Sequence, residues 1–259
     1  MLPLVKREEE FKTWVAKKMQ TNKNYEMIFE AMALARLYHT GFRKDGITPE
    51  FQHQVDIAID VAEHCDTLLF APETLSVVFL HDLVEDYGIG TKVWDLNLSR
   101  LSNLEPVPLS LINQKFGVIV SESVDKISKI CDGVKKGKKK YFRDIATCPI
   151  TSVAKLGDRK HNLNSMLNVF SLEKQERYAS EVEKEFMPLI SKVECLFPQQ
   201  IETYDKYKNE FKQITGFVME RVESFSQMGL DLTKTPQEAL CVVHEIIEHM
   251  PCSGLTLKV

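Results

Sequence analysis

The sequence lacks three features that would place it in a special class of protein. None of its apolar runs approaches the length of a membrane span. Its formal net charge of −4 provides no overall positive field that would attract nucleic acid or an anionic membrane. Its six cysteines are scattered without a Cys-x-x-Cys spacing, which is typical of reduced thiols. These absences favour a cytoplasmic protein that binds neither nucleic acid nor membrane.

The sequence also lacks the alternation of apolar and polar residues that strands show, and it has no internal repeat. Helical periodicity extends along most of the 259 residues instead, so we predict an all-α fold. Prolines, asparagines and serines predict an irregular or briefly helical connection at 95–108, and a lysine run predicts a basic loop at 135–140. The predicted helices cover about 4–18, 25–38, 51–64, 72–87, 109–116, 118–130 and 149–170, and further helices follow from 172 to 250.

Four charged or metal-capable side chains directly follow an apolar run at 77–80. On one continuous helix, His81 and Glu85 lie four residues apart, as do Asp82 and Asp86. Such groups beside a core segment are costly unless their charge is compensated, and a divalent metal would compensate it. The competing interpretation is a solvated helix end, in which the three acids face water.

Two imidazoles and two carboxylates on three predicted helices form a candidate metal site. This donor set suits Mn²⁺, with Zn²⁺ or Fe²⁺ as alternatives, and it leaves coordination positions open for water or a substrate oxygen. Glu85 and Asp86, one turn beyond, are placed to orient that water or to take its proton. The candidate ligands are His53, His81, Asp82 and Asp158.

Several segments in register carry a resemblance to a known family. Leu80-His81-Asp82-Leu-Val-Glu85-Asp86 is similar to a Leu-His-Asp-x-x-Glu-Asp motif, and Lys155-Leu-Gly-Asp158-Arg-Lys-His-Asn162 to Lys-Leu-Ala-Asp-Arg-x-His-Asn. The segment from His39 to Gly46 with Arg43 and Lys44, followed by His53, is similar to a third motif, and the segments at 116–117 and 125–129 to a fourth and fifth. In this order, across about 31–166, the chain resembles the HD-domain phosphohydrolases, and more narrowly the RelA/SpoT-type alarmone hydrolases.

The resemblance implies an HD-domain helical bundle at 1–198 with a helical C-terminal extension at 199–259. It implies hydrolysis of the 3′-pyrophosphate of guanosine tetra- or pentaphosphate, giving GDP or GTP, at one divalent metal ion held by the four candidate ligands. It assigns catalysis to Glu85 and Asp86, and contacts with the purine nucleotide to Arg43, Lys44 and Asn162. Tyr87, Gln54 and Gly157 depart from the family's usual residues without removing a ligand or an acid.

Other functions remain open from the sequence. One is an HD phosphohydrolase for another phosphorylated nucleotide, such as an adenosine alarmone or NADPH. Another is a non-catalytic module that senses a nucleotide, with the C-terminal helices docking a partner. The sequence also permits assembly into a homo-oligomer. His39 is expected to be structural. No acidic or cysteine cluster at ligand spacing is expected around the other histidines, which are His64, His161, His244 and His249.

Overall fold

The protein is helical throughout most of the part of the chain that the structure describes. That structure, a computed structural model, describes residues 4–91 and 104–240. The predicted all-α class is confirmed, because the strands described are two residues long, β1 (Ile130–Cys131) and β2 (Val134–Lys135). The helices are α1 (Leu4–Met19), α2 (Glu26–Tyr38), α3 (Glu50–Ala62), α4 (Ala71–Leu80), α5 (Leu83–Tyr87), α6 (Leu109–Ile127), α7 (Lys138–Ala146), α8 (Pro149–Met166), α9 (Leu172–Glu181), α10 (Met187–Leu196) and α11 (Ile201–Gln227).

Helix α4 lies at the centre of the core. Its apolar run at 77–80 is fully buried, and the helix packs against α2, α3 and α8. Pro72 stands in its first turn, where a missing N–H costs nothing, so the predicted start is confirmed. The predicted continuous helix to residue 87 is wrong, however, since α4 ends at Leu80 and α5 begins at Leu83. The backbone N–H of Asp86 still donates to the carbonyl of Asp82 at 2.8 Å, so the four-residue spacing of these acids persists.

The region after α5 differs in part from its prediction. Helix α6 bends at Gly117, whose φ of 81° and ψ of 174° are not helical. This bend lies between the two predicted helical segments, 109–116 and 118–130. The predicted extension of that helix to residue 130 is wrong, because β1 begins at Ile130. The predicted basic loop at 135–140 is also wrong in part, because its first residue pairs in β2 and its last three begin α7. Asp132 and Gly133, with φ of 45° and 77°, form the tight turn between the strands.

The C-terminal helices pack on the same core as the N-terminal ones. The side chain of Ser171 accepts a hydrogen bond from the backbone N–H of Lys174, as predicted for a helix cap. The predicted disturbance at Pro188 is a π-helical turn at Val182–Phe186, directly before α10. Helix α11 contacts α8 and α9 through fully buried aromatic side chains. The predicted domain boundary between residues 198 and 199 stays a prediction.

Two predictions fall wholly or partly outside the described residues. They are the irregular connection, of which only 104–108 is described, and the last helix, of which nothing beyond residue 240 is described. His244, His249 and Cys241 lie in that undescribed stretch. None of the helices that the structure describes combines the length and the apolar character needed to cross a membrane.

Candidate metal centre

The four candidate ligands lie together, although they come from three separate segments. Helix α3 carries His53, the turn between α4 and α5 carries His81 and Asp82, and α8 carries Asp158. Nε2 of His81 lies 3.1 Å from Oδ2 of Asp82 and 3.8 Å from Oδ1 of Asp158. Nε2 of His53 lies 3.2 Å from the same Asp158 oxygen. Donor atoms of His53, His81 and Asp82 lie within 4.8 Å of one another, and Asp158 adjoins this group through its contacts with the two histidines.

The ring of His81 is held in the orientation that a metal ligand needs. Its Nδ1 lies 2.7 Å from the carbonyl oxygen of Val78, which can only accept, so Nδ1 carries the proton of the neutral ring. Its Nε2 is buried and faces the carboxylates of Asp82 and Asp158. Once Nε2 has lost its proton, its lone pair would point toward a divalent cation held by the same carboxylates.

The charges around His81 also fit a cation. Burial lowers the pKa of His81, but the carboxylates of Asp82 and Asp158 outweigh burial and raise it well above its usual value. Burial alone would raise the pKa of Asp82, yet His81 lowers it below its usual value. The carboxylates thus draw positive charge to Nε2, and a divalent cation can replace the proton there.

Asp158 is held by two neighbours on its own helix. Nζ of Lys155 donates to its Oδ2 at 2.6 Å, and Nδ2 of Asn162 donates to its Oδ1 at 2.6 Å. Burial would raise the pKa of Asp158, but the charge of Lys155 and the two histidines hold it well below the usual value. The carboxylate is therefore ionised and oriented. The sequence pattern placed Lys155 on this helix face without assigning it a role at the site.

The second ring nitrogen of His53 contacts His161, around which no acidic or cysteine cluster was expected. Its Nδ1 lies 2.8 Å from Nδ1 of His161, whose Nε2 lies 3.3 Å from Asp56. Nη1 of Arg7, on α1, lies 2.8 Å from the same carboxyl group. Burial lowers the pKa of His53 to about 4, so its ring is neutral at pH 7. His161 thus contacts one carboxylate, but among the described residues it belongs to no group that could hold a metal, so the prediction of no acidic or cysteine cluster there is not contradicted.

A cleft of about 340 Å³ opens onto two of the candidate ligands, His53 and Asp82. The residues expected to contact a nucleotide, Arg43, Lys44 and Asn162, all line it, and Nη2 of Arg43 donates to Oδ1 of Asn162 at 2.8 Å. Nζ of Lys44 lies 5.2 Å from the ring centroid of Phe170. Nζ of Lys174 lies 3.5 Å from the same centroid. The sequence did not point to Phe170 or Lys174, because neither belongs to a recognisable motif.

The two predicted catalytic acids have different surroundings. Asp86 lines the cleft, whereas Oε2 of Glu85 accepts a hydrogen bond from the backbone N–H of Lys129 at 2.7 Å. Although the side chain of Asp86 reaches solvent, loss of hydration by surrounding protein, followed by the charges of Asp82 and Glu85, raises its pKa to about 8. The structure therefore brings one acid of the pair to the cleft wall and ties the other to the segment before β1.

His39 forms another part of the cleft wall. It is buried, its ring centroid lies 5.1 Å from that of Tyr87, and its Nε2 has no hydrogen-bond partner among the described residues. Burial lowers the pKa of His39 to about 4, so the ring is neutral at pH 7. Its packing agrees with the expected structural role, which stays a prediction.

The sequence was compared with models of known protein families and with curated proteins. No family model matches the chain, and no curated protein is similar to it.

Proposed function

We propose that this chain is a metal-dependent phosphohydrolase of the HD type. Its proposed reaction is hydrolysis of the 3′-pyrophosphate of guanosine tetra- or pentaphosphate, giving GDP or GTP and pyrophosphate. One observation carries the proposal: donor atoms of His53, His81 and Asp82 lie within 4.8 Å of one another, with Asp158 against both histidines, beside a cleft that Arg43 and Lys44 line. A buried donor set next to cationic side chains suits a phosphorylated substrate.

The proposed cofactor is one divalent ion, Mn²⁺, with Zn²⁺ or Fe²⁺ as alternatives. The two imidazoles and two carboxylates would hold it, and the buried Nε2 of His81, which faces two carboxylates, supports this assignment. When bound, the ion neutralises charge on a phosphoryl oxygen and lowers the pKa of a bound water.

Asp86 is the residue proposed to orient the attacking water and to receive its proton. Without a cation its pKa of about 8 keeps the carboxyl protonated at neutral pH. Nearby positive charge lowers that pKa and favours the carboxylate form. In the hydrolysis, the water oxygen bonds to the phosphorus next to the 3′ oxygen, the bond from that phosphorus to the 3′ oxygen breaks, and the 3′ oxygen takes up a proton.

Arg43, Lys44 and Asn162 are proposed to position the nucleotide. A guanidinium plane can stack on a purine, and an ammonium group attracts phosphate as a point charge. The hydrogen bond from Arg43 to Asn162 holds the guanidinium within the cleft before substrate arrives. Because Asn162 also donates to Asp158, this bond links the base contact to the ligand set.

Glu85 takes a supporting role in this proposal. Its carboxylate accepts from the N–H of Lys129, so it fastens the residue before β1 to α5. The charge of Glu85 also contributes to the raised pKa of Asp86. We therefore assign the proton transfer to Asp86 and a positioning role to Glu85.

The decisive experiment is a substrate panel assayed with the purified protein. Guanosine nucleotides carrying a 3′-pyrophosphate, their adenosine counterparts and NADPH are incubated with Mn²⁺ or with EDTA, and products are separated by anion exchange. We expect GDP or GTP and pyrophosphate from the guanosine substrates with Mn²⁺, and no product with EDTA. Faster turnover of an adenosine substrate or of NADPH would assign the same site to that nucleotide.

An Asp82→Ala variant supplies the matched control for the panel. Removing one ligand leaves the remaining charges uncompensated, so bound metal and activity should be lost together. Metal content is measured by elemental analysis, and circular dichroism checks that the variant is folded. Full metal content and full activity in the folded variant would overturn the metal site. If the wild-type protein binds metal but turns over none of the nucleotides in the panel, the result would favour the nucleotide-sensing module instead.

A further inference from the structure

The lysine run that begins at residue 135 lies beside a second cavity, separate from the cleft. This cavity of about 240 Å³ is bounded by the β1–β2 hairpin, the start of α7 and the middle of α8. We call it the basic pocket and define it by its polar lining residues, which are Lys129, Lys135, Lys136, Lys138, Tyr141, Lys155, Arg159 and the one acid Glu181.

Positive charge in the basic pocket exceeds the nearby negative charge. Ion pairs link Lys136 to Asp125 at 3.0 Å and Arg159 to Glu181 at 2.8 Å. A third pair links Lys138 to Glu185 at 2.8 Å. Lys129 and Lys135 make no ion pair within the described ranges 4–91 and 104–240. The pocket therefore holds cations that its own acids do not neutralise.

The first turn of α7 adds a second reason to expect an anion. The amino-terminal end of a helix carries partial positive charge and favours acidic side chains. Helix α7 instead begins with Lys138, Lys139 and Lys140, and the N-cap residue Gly137 offers no side chain to the first N–H groups. An oxyanion at this end would accept hydrogen bonds from the free N–H groups, next to Lys138, the lysine of this turn that lines the pocket.

Two buried polar atoms of the pocket lining have unused hydrogen-bonding capacity. The hydroxyl of Tyr141 and Nε of Arg159 find no hydrogen-bond partner in the described part of the chain. Tyr141 is 2% exposed and Arg159 is 7% exposed, so water does not readily satisfy either group. Both atoms are donors, and an unsatisfied buried donor is costly.

We propose that the basic pocket is an anion-binding site that takes a phosphate-type oxyanion, such as inorganic phosphate or pyrophosphate. Surplus lysine charge, the α7 N-terminus and two unused donors all favour the same class of ligand. The pocket borders the metal centre without sharing its cleft, because Lys155 lines the pocket while its Nζ donates to Asp158. The site needs neither metal nor nucleotide, so it can be tested independently of the proposed hydrolase activity.

The test measures pyrophosphate binding by isothermal titration calorimetry on the whole chain, after a chelating resin has removed metal. Lys135→Gln and Lys139→Gln form a matched pair, since both lysines are exposed and only Lys135 lines the pocket. Tyr141→Phe removes one hydroxyl without changing charge or ring packing. Lys44→Gln reports binding in the cleft instead.

We expect Lys135→Gln to weaken pyrophosphate binding about fivefold and Tyr141→Phe about tenfold, as for the loss of a charge contact and of a hydrogen bond to an anion. Lys139→Gln should change the affinity by less than about twofold. Absence of pyrophosphate binding would overturn the site. So would equal losses in Lys135→Gln and Lys139→Gln, or a loss confined to Lys44→Gln. Thermal unfolding checks that each variant is folded, and Tyr141→Phe keeps the test valid should a lysine variant fail to fold.

Discussion

Asp86 and Glu85 are adjacent in sequence, yet their side chains have different surroundings. Asp86 lines the cleft, and Glu85 binds the backbone N–H of Lys129. Asp86→Asn should therefore lower kcat by roughly two to four orders of magnitude with metal retained, because the proton acceptor is lost. Glu85→Gln keeps an oxygen that can accept from Lys129 and should lower kcat by no more than about tenfold.

Turnover of the guanosine substrate and Mn²⁺ content are measured for both variants in parallel. Each variant is the control for the other, since both substitutions remove one negative charge from α5. A larger loss in Glu85→Gln than in Asp86→Asn would reverse the two assigned roles.

His39 predicts a pH dependence of stability that belongs to a single residue. Burial lowers its pKa from 6.5 to about 4 in the folded protein. Between these values only the unfolded chain binds the proton, so the free energy of unfolding falls as pH drops below 6.5 toward 4. A difference of this size corresponds to about 3 kcal/mol lost between pH 7 and pH 4.

The measurement compares urea unfolding of the wild type and of His39→Gln across that pH range. His53, whose pKa is also lowered to about 4, is present in both proteins, so the difference isolates His39. The variant should lose about 3 kcal/mol less than the wild type over this range. Parallel curves would show that His39 does not titrate in this way.

At the scale of the helices, two glycines predict opposite effects of one substitution. Gly117 bends α6 with φ of 81° and ψ of 174°, a backbone conformation that is strained for residues other than glycine. Gly216 lies inside α11 in helical conformation, and an added Cβ there would meet no atom within 4 Å. Gly117→Ala should destabilise the protein by about 1 to 3 kcal/mol, and Gly216→Ala should stabilise it by up to about 1 kcal/mol.

Chemical denaturation of both variants checks this pair of predictions. The added methyl group is the same in each, so hydrophobicity and size do not separate them. A stabilising Gly117→Ala would mean that the bend in α6 is not required.

At the scale of the whole molecule, α11 completes the core around the site helix α8. The side chains of Tyr204, Tyr207 and Phe211 are fully buried, and the hydroxyl of Tyr207 donates to Asp60 of α3 at 2.9 Å. Each aromatic side chain buries on the order of 150–250 Å², or about 4 to 6 kcal/mol at ~25 cal/mol per Å². Three such losses match or exceed a typical stability of about 5–15 kcal/mol.

A chain cut after residue 198 should therefore show no cooperative thermal unfolding by circular dichroism. The full chain, which keeps α11, is the control and should unfold cooperatively. A cooperative transition in the shorter chain would show instead that residues 1–198 fold independently.

Patterns local in sequence determined the fold class and most helix positions. Apolar residues at helical spacing predicted the helices, Pro72 marked the start of α4, and Ser171 marked the start of α9, because these signals act through neighbours a few residues away. The break between His81 and Leu83 and the two-residue strands were not predictable in this way. A two-residue strand is too short to show alternation, and the local sequence at 81–82 permits a continuous helix.

The candidate site divides in the same way between sequence and tertiary structure. The motifs in the sequence supplied the four candidate ligands and three residues that line the cleft, Arg43, Lys44 and Asn162, since residue type and spacing are visible there. Tertiary structure alone brought His161 against His53, tied Glu85 to Lys129 and left Asp86 at the cleft. These contacts join residues 108 and 44 positions apart. Which partners meet across such distances depends on how whole helices pack, and that packing sets the burial and the charges that govern each pKa.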